Sequence, residues 1–418
     1  PRSRALLGSQ SNRGAILWGA PPPRIVAGAM RIGIDARAYG WTGIGRYARN
    51  LLAHLVRQNE RIGGQTPEYV LFTPPQYVRE VSLLPHVRVI PVRDSYYSLY
   101  EQTGFLTRLL ATKVDLVHFV SFNVPIAYRR PFVVTIHDLT RFKFPGAKHR
   151  DRFHAWAHGN VFRSAVAHAR RIITVSEFTK AELLSVFPSA GDRTAVVYEG
   201  VEERFFTERE ALREGTEGNR DAEMLARYGI QPPYLLYVGL WLTHKNLPGL
   251  LRTFRYLRTA GYQGLLVITG QGRPWDEDIP LRAQREGIAD AVRFPGPVTD
   301  DILAALYRSA DVFLFPSLSE GFGLPPLEAM ASGTPVVAAR AGSLPEVLGD
   351  AALFADPEDP AQIRDAVQRL STDRELRAHM IERGRERARR FSWALAAERT
   401  REEYQRALRR DSASSRIG

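Results

Sequence analysis

Cysteine is absent from the 418 residues, which excludes a disulfide framework, a cysteine-based zinc or iron–sulfur site and a thiol nucleophile. Lysine is scarce. Of 57 Lys and Arg residues, only Lys113, Lys143, Lys148, Lys180 and Lys245 are lysines. No apolar run approaches the roughly 18 consecutive residues that a bilayer-spanning helix needs. Residues 1–29 carry Arg2, Arg4, Arg13, Arg24 and a Pro21-Pro22-Pro23 cluster, and lack the apolar core of a secretory signal. The chain therefore reads as cytoplasmic. Met30 directly precedes the first strand pattern, so residues 1–29 read as an extension outside the fold.

What is present describes a folded chain of more than one domain. Hydrophobic residues make up 44% and charged ones 24%, which excludes wholesale disorder. At roughly 100–200 residues per domain, the length allows two or three. The net charge of +12 comes almost entirely from arginine, partly a composition bias, so its placement says more than its sum.

Short apolar runs rich in β-branched residues recur at 31–35, 69–72, 87–90, 116–120, 132–136, 172–175 and 195–198, then at 234–238, 265–269, 292–294, 312–315 and 336–338. Helical patterns separate several of them. The clearest is Ile44, Tyr47, Ala48, Leu51, Leu52, Leu55, Val56. This alternation predicts parallel sheets covered on both faces. Residues 202–226 are polar with little periodicity and read as a linker. The expected organisation is an N-terminal α/β domain over 30–210, a second one over 225–390, and a C-terminal helix and tail over 391–418. Residues from Pro360 onward read as helical, with Ser392 as the N-cap of the last helix.

The most informative window runs from Phe315 to Met330. A strand ends at Phe315, Gly321 and Gly323 permit a tight turn around Phe322, and Leu324 and Pro325 lead to Pro326 as the first residue of a helix. Free N–H groups at such a helix start suit a phosphate. Glu320 in the loop and Glu328 in the first helical turn would frame a ligand lying across that start. A plain strand-to-helix turn, with Glu328 set against the helix dipole, accounts for the same residues. In the second window a strand ends at Gly239, and a short loop carries Leu240, His244, Lys245 and Asn246 into another helix. A lysine kept there in an arginine-rich chain suits a diphosphate, although a lysine at a helix start is also commonly just solvated.

Together these windows resemble the signature of glycosyltransferase family 4, retaining enzymes of GT-B fold that use nucleotide sugars. The resemblance covers about residues 30–410 and rests on Glu320-x7-Glu328, on Lys245-Asn246 and on the strand order. It implies two Rossmann-like domains facing across a cleft, with the C-terminal helix returning to the first. It implies that Glu320 holds the donor sugar's hydroxyls, that Glu328 contacts the nucleotide ribose and that Lys245 neutralises the departing diphosphate. His244 stands where such enzymes usually have arginine, and Leu240 where others have one. In the first domain, Gly43 and Gly45 of Gly40-Trp41-Thr42-Gly43-Ile44-Gly45-Arg46-Tyr47 open a helix after the first strand, near phosphate or acceptor. This is not the Gly-x-Gly-x-x-Gly fingerprint of dinucleotide enzymes. His137, ending the strand Thr135-Ile136, corresponds to a histidine that contacts the donor sugar near the reacting carbon. A core histidine bonded to Asp138 is the plainer account of it. Ser176, with Thr179 three residues on, reads as a helix cap.

A metal is not expected. Asp276-Glu277-Asp278 fits the Asp-x-Asp string of metal-dependent sugar transferases, but lies apart from both phosphate windows in sequence. The nucleotide sugar is a co-substrate, so no cofactor is implied. Residues 141–172 hold eight Lys/Arg against Asp151 alone, interleaved with Phe142, Phe144, Phe153, Trp156 and Phe162. That stretch suits peripheral contact with an anionic membrane carrying a lipid-linked acceptor, or equally a solvated helix with its aromatics in the core. Nucleic-acid binding is not expected, because no reading element or stacking platform gathers the basic residues. Residues 30–47 look most like bacterial mannosyltransferases of surface-polysaccharide assembly, which makes GDP-mannose the expected donor. A UDP-sugar such as UDP-glucose is the alternative donor, and an epimerase of the same architecture the alternative enzyme.

Overall fold

The computed structural model describes residues 30–62, 66–93, 96, 98–140, 152–206, 216–272 and 278–414. Thirteen strands among them form two parallel sheets. The first contains β1 (Arg31–Asp35), β2 (Glu68–Thr73), β3 (Val87–Pro91), β4 (Leu116–Phe119), β5 (Phe132–Ile136), β6 (Arg171–Thr174) and β7 (Thr194–Val196), in the order β3-β2-β1-β4-β5-β6-β7. The second contains β8 (Tyr234–Val238), β9 (Leu265–Thr269), β10 (Val292–Gly296), β11 (Val312–Phe315), β12 (Val336–Ala339) and β13 (Ala352–Ala355), in the order β10-β9-β8-β11-β12-β13.

Central strands of such sheets are covered on both faces, and β5 and β11 are buried at every position. In both sheets the strand order reverses between the first and fourth strands, β1/β4 and β8/β11. A crevice opens at the carboxyl ends of the strands at that point, and ligands bind there in open α/β sheets.

The helix Gly43–Ile62 turns Tyr47, Ala48, Leu51, Leu52, Leu55 and Val56 into the core, the face its periodicity predicts. The last helix, Trp393–Ser414, returns to the first sheet and packs on Gly43–Ile62 and on β4, β5 and β6. Ser392 starts it, its hydroxyl accepting from the Ala394 N–H at 3.2 Å. Gln58 Nε2 donates to the Ala394 carbonyl at 2.7 Å, and Arg171 pairs with the buried Glu403 at 2.5 Å.

Two expectations need correction. Strand β13 is missing from the sequence reading, because Ala-Leu-Phe-Ala has little strand preference of its own; pairing with β12 in a buried position makes it one. Residues 202–226 are not all linker, since Thr216–Ala226 is a helix that buries Asp221 against Arg308 at 2.8 Å. Within 141–172, residues 141–151 lie outside the described residues, while Phe162 enters the core and Trp156 is exposed. Arg170 and Arg171 are drawn to the last helix. Among the described residues, no helix is long and apolar enough to cross a membrane.

Candidate functional site

At the switch point of the second sheet, β8 passes through Gly239, whose N–H donates to the Thr269 carbonyl at 3.2 Å, into a 3-10 turn at Thr243–Lys245. Asn246 ends that turn in a left-handed conformation (φ 55°), which asparagine tolerates better than most residues, and its side-chain amide donates to the Pro357 carbonyl at 3.0 Å. The helix Leu247–Thr259 follows. The His244 carbonyl accepts from the Leu318 N–H at 2.7 Å, which ties this loop to the one after β11. Lys245 Nζ then reaches both oxygens of Glu320, at 2.6 and 2.8 Å, and lies 5.4 Å from the Phe315 ring centre. The two residues the sequence singled out as diphosphate and sugar ligands thus face each other as an ion pair in a nearly buried position.

The loop that carries Glu320 closes tightly on the first domain. A Cβ on Gly321 would lie 1.8 Å from the His137 carbonyl oxygen, so only glycine fits. Ser176 Oγ donates to the Gly321 carbonyl at 2.7 Å, and Thr179 Oγ1 does so at 3.2 Å. Ser176 is the cap its position predicted, accepting from the Thr179 N–H at 3.0 Å, and it also bridges the two domains. Phe322 and Leu324 are buried, and the Phe322 carbonyl accepts from Ser343 Oγ at 2.9 Å. Gly323 (φ 101°) precedes the helix Leu324–Ala331 without any side-chain cap, leaving the helix start bare. That helix begins at Leu324 rather than Pro326, with prolines in its first turn where no N–H is needed.

Glu328 consequently lies one turn into the helix, not in its first turn. It is buried, and both its oxygens are taken: Oε1 accepts from Arg46 Nη1 and Oε2 from the Tyr307 hydroxyl at 2.9 Å. Burial raises its pKa above the usual carboxylate range, against the opposing pull of Arg46 and Tyr307. Arg46 comes from the first domain and also meets Asp300 at 2.6 Å and Glu202 at 3.3 Å. Burial alone would lower its pKa, but the three carboxylates raise it. Of the two glycines before it, Gly45 is required, since a Cβ would meet the Ala38 and Tyr39 carbonyl oxygens at 2.6 and 2.7 Å. A Cβ at Gly43 would meet nothing.

His137 follows β5 and is not bonded to Asp138, whose carboxylate accepts instead from the Thr140 N–H at 2.9 Å. Its Nδ1 lies 3.1 Å from Glu199 Oε1 and its Nε2 2.9 Å from the Val120 carbonyl. Burial acts to lower its pKa, but Glu199, the Val120 carbonyl and Asp138 together raise it. Asp278 caps the helix Ile279–Arg285, accepting from the Leu281 N–H at 2.9 Å, while Asp276 and Glu277 lie outside the described residues.

Sequence reasoning missed Arg46, Tyr307 and Glu199. Arg46 adjoins the Gly-rich turn that drew attention, so its charge was a usable signal. Tyr307 and Glu199 stand in no motif and gain their roles only through folding.

Two family models match the chain: Glycosyltransferase Family 4 over residues 41–205 and Glycosyl transferases group 1 over residues 223–387. The chain is 29% identical over 372 residues to the O-antigen chain mannosyltransferase B of Escherichia coli, covering 85% of this chain and 93% of that protein. It is 30% identical over 364 residues to a D-inositol 3-phosphate glycosyltransferase of Corynebacterium kroppenstedtii, covering 79% and 78%. A sucrose-phosphate synthase from Thermosynechococcus elongatus superposes with a TM-score of 0.72 over 90% of this chain and 98% of its own, at 23% identity.

Proposed function

The chain belongs to glycosyltransferase family 4, and from that we propose that it is a retaining enzyme moving mannose from GDP-mannose to a glycan or lipid-linked acceptor in cell-surface polysaccharide assembly. The observation that carries the reading is the meeting of Lys245 and Glu320 at the carboxyl ends of β8 and β11, beside the uncapped helix start at Gly323. Mannose rests on the likeness to the Escherichia coli mannosyltransferase and on residues 30–47.

In this reading the donor separates the resting ion pair. Lys245 turns to the diphosphate, and Glu320 is released to accept from the sugar's hydroxyls. Glu328 serves the ribose by sharing its oxygens with Arg46 and Tyr307. The bond from the anomeric carbon to the phosphate oxygen breaks, a bond to the acceptor oxygen forms on the same face, and the leaving phosphate oxygen takes the acceptor's proton. Lys245, with the N–H groups at Gly323 and Leu324, offsets the developing charge as preorganised donors. No metal ion takes part in this scheme.

A second basic surface on the first domain also suits the proposed membrane contact. A cavity of about 340 Å³ is lined by Arg31, Arg88, Arg108 and Lys113, with the exposed Leu110 nearby, and it lies on the first domain. Arg31 is partly offset by Glu68 at 3.1 Å. Such a basic recess suits anionic headgroups around a lipid-linked acceptor.

The test is a thermal-shift screen of nucleotide sugars, followed by turnover on lipid-linked acceptors with the product's anomeric configuration read by NMR. Stabilisation and turnover with UDP-glucose but not GDP-mannose would reject the donor. Inversion at the anomeric carbon would reject the mechanism, and donor conversion without any acceptor would identify an epimerase.

A further inference from the structure

Two histidines of the first sheet, His118 on β4 and His137 just past β5, have partners that favour different charge states, neutral for one and cationic for the other. His118 bonds through Nδ1 to the Tyr404 hydroxyl at 2.7 Å and through Nε2 to the Thr135 hydroxyl at 2.8 Å. A hydroxyl both donates and accepts, so a neutral ring is fully satisfied there. His137 has no such latitude. The Val120 carbonyl at its Nε2 can only accept, and so can the ionised Glu199 carboxylate at its Nδ1. Each contact needs an N–H, and a neutral imidazole has only one.

We infer that Glu199 is a positioning residue that keeps His137 doubly protonated, so that the side chain beside the donor loop is a fixed cation without a lone pair and cannot act as a base. The other groups around the ring agree with that charge. Asp138, next in the chain, adds a negative charge, and Tyr47 packs edge-on at 4.8 Å with its hydroxyl bonded to Thr135. Burial raises the Tyr47 pKa, so its phenol stays neutral, and burial followed by the charge on His137 lowers His118 to about 3. The second domain approaches through the Gly321 backbone. A fixed imidazolium on the first domain, whose own carbonyl oxygen abuts Gly321 of the donor loop, suits a leaving diphosphate where Leu240 and His244 replace the basic residues usual in such a loop.

The charge assignment stands on geometry, and its effect on rate rests on the proposed sugar-nucleotide site. The experiment is long-range 15N NMR of the histidine rings in the full chain, with His137→Gln to assign the signal, in the parent and in Glu199→Gln and Glu199→Asp. The parent is expected to show both His137 nitrogens protonated at pH 7.0, titrating above the ordinary value of about 6.5. Glu199→Gln should bring the midpoint to or below that value, and Glu199→Asp should restore part of the shift. At pH 8, Glu199→Gln should lower kcat about tenfold with the donor KM changed far less, and the loss should shrink toward pH 6. A single neutral His137 tautomer in the parent at pH 7.0, or an equal kcat loss at every pH, overturns the inference. Expected NMR behaviour in a chain that turns over no nucleotide sugar would overturn the functional reading and leave the charge assignment standing.

Discussion

Arg46 and Glu328 meet across the cleft, the guanidinium of one domain donating to a carboxylate of the other that is only 2% exposed. Asp300 and Glu202 share the same guanidinium and also meet Arg204, so two cations offset three anions, with Arg46 the one that reaches Glu328. Arg46→Ala therefore leaves Glu328 buried without its cation, at a cost of about 3 kcal/mol. Urea unfolding measures this, and Glu328→Gln in the Arg46→Ala background should recover part of the loss. Equal stability of the single and double variants would show that the pair is not what the cost reports.

Lys245→Ala and Glu320→Ala should each lower transfer about a hundredfold or more, the scale of losing a preorganised group that meets developing charge. Both variants should keep a cooperative melt. Full activity in either would remove that residue from the chemistry. EDTA should leave the parent's rate unchanged, and a loss restored by added divalent ion would bring a metal into the mechanism.

Gly321→Ala should separate the domains, because the new Cβ would sit 1.8 Å from the His137 carbonyl oxygen. Small-angle scattering should show a larger radius of gyration, and activity should fall steeply. Ser176→Ala removes one bond to the Gly321 carbonyl and the cap bond from the Thr179 N–H, and should cost about 2 kcal/mol without separating the domains. An unchanged scattering curve for Gly321→Ala would mean that the loops part in solution without it.

Acid should destabilise the fold through His118. Its folded pKa is about 3, and the unfolded value is near 6.5, so below pH 6.5 the unfolded chain takes up a proton that the folded chain refuses. Between pH 6.5 and 4.5 that difference amounts to about 2–3 kcal/mol. His118→Gln keeps a donor and an acceptor but cannot titrate, so its urea midpoint should fall less over that range. His137 has the opposite sign: its folded pKa is raised, so its stabilising contribution is complete below pH 6.5 and fades as pH rises through the folded value. Parallel curves for the parent and His118→Gln would reject the assignment.

Vesicles containing anionic lipid should retain the protein in sedimentation, and neutral vesicles should not. Arg88→Glu combined with Lys113→Glu should abolish retention at moderate salt without altering the melt, as about 1 kcal/mol per cation implies. Retention independent of lipid charge would remove the basic recess from the membrane reading.

Twelve of the thirteen strands, the Gly43–Ile62 helix and the loops holding Lys245, Glu320 and Gly321 were legible in the sequence, because buried parallel strands must be continuously apolar and a Gly-Pro turn is a local matter. Strand β13 was not, since its two alanines become strand residues only against β12. The pairing of Lys245 with Glu320 joins loops 75 positions apart, and that of Arg46 with Glu328 joins residues 282 apart. Composition and spacing determined which chemical groups the chain possesses and the local turns that carry them. Which carboxylate meets which cation, and that His137 is held between Glu199 and a carbonyl, was decided only when two separate sheets closed on each other, because burial and partner geometry set the charge of a side chain and neither exists before the fold.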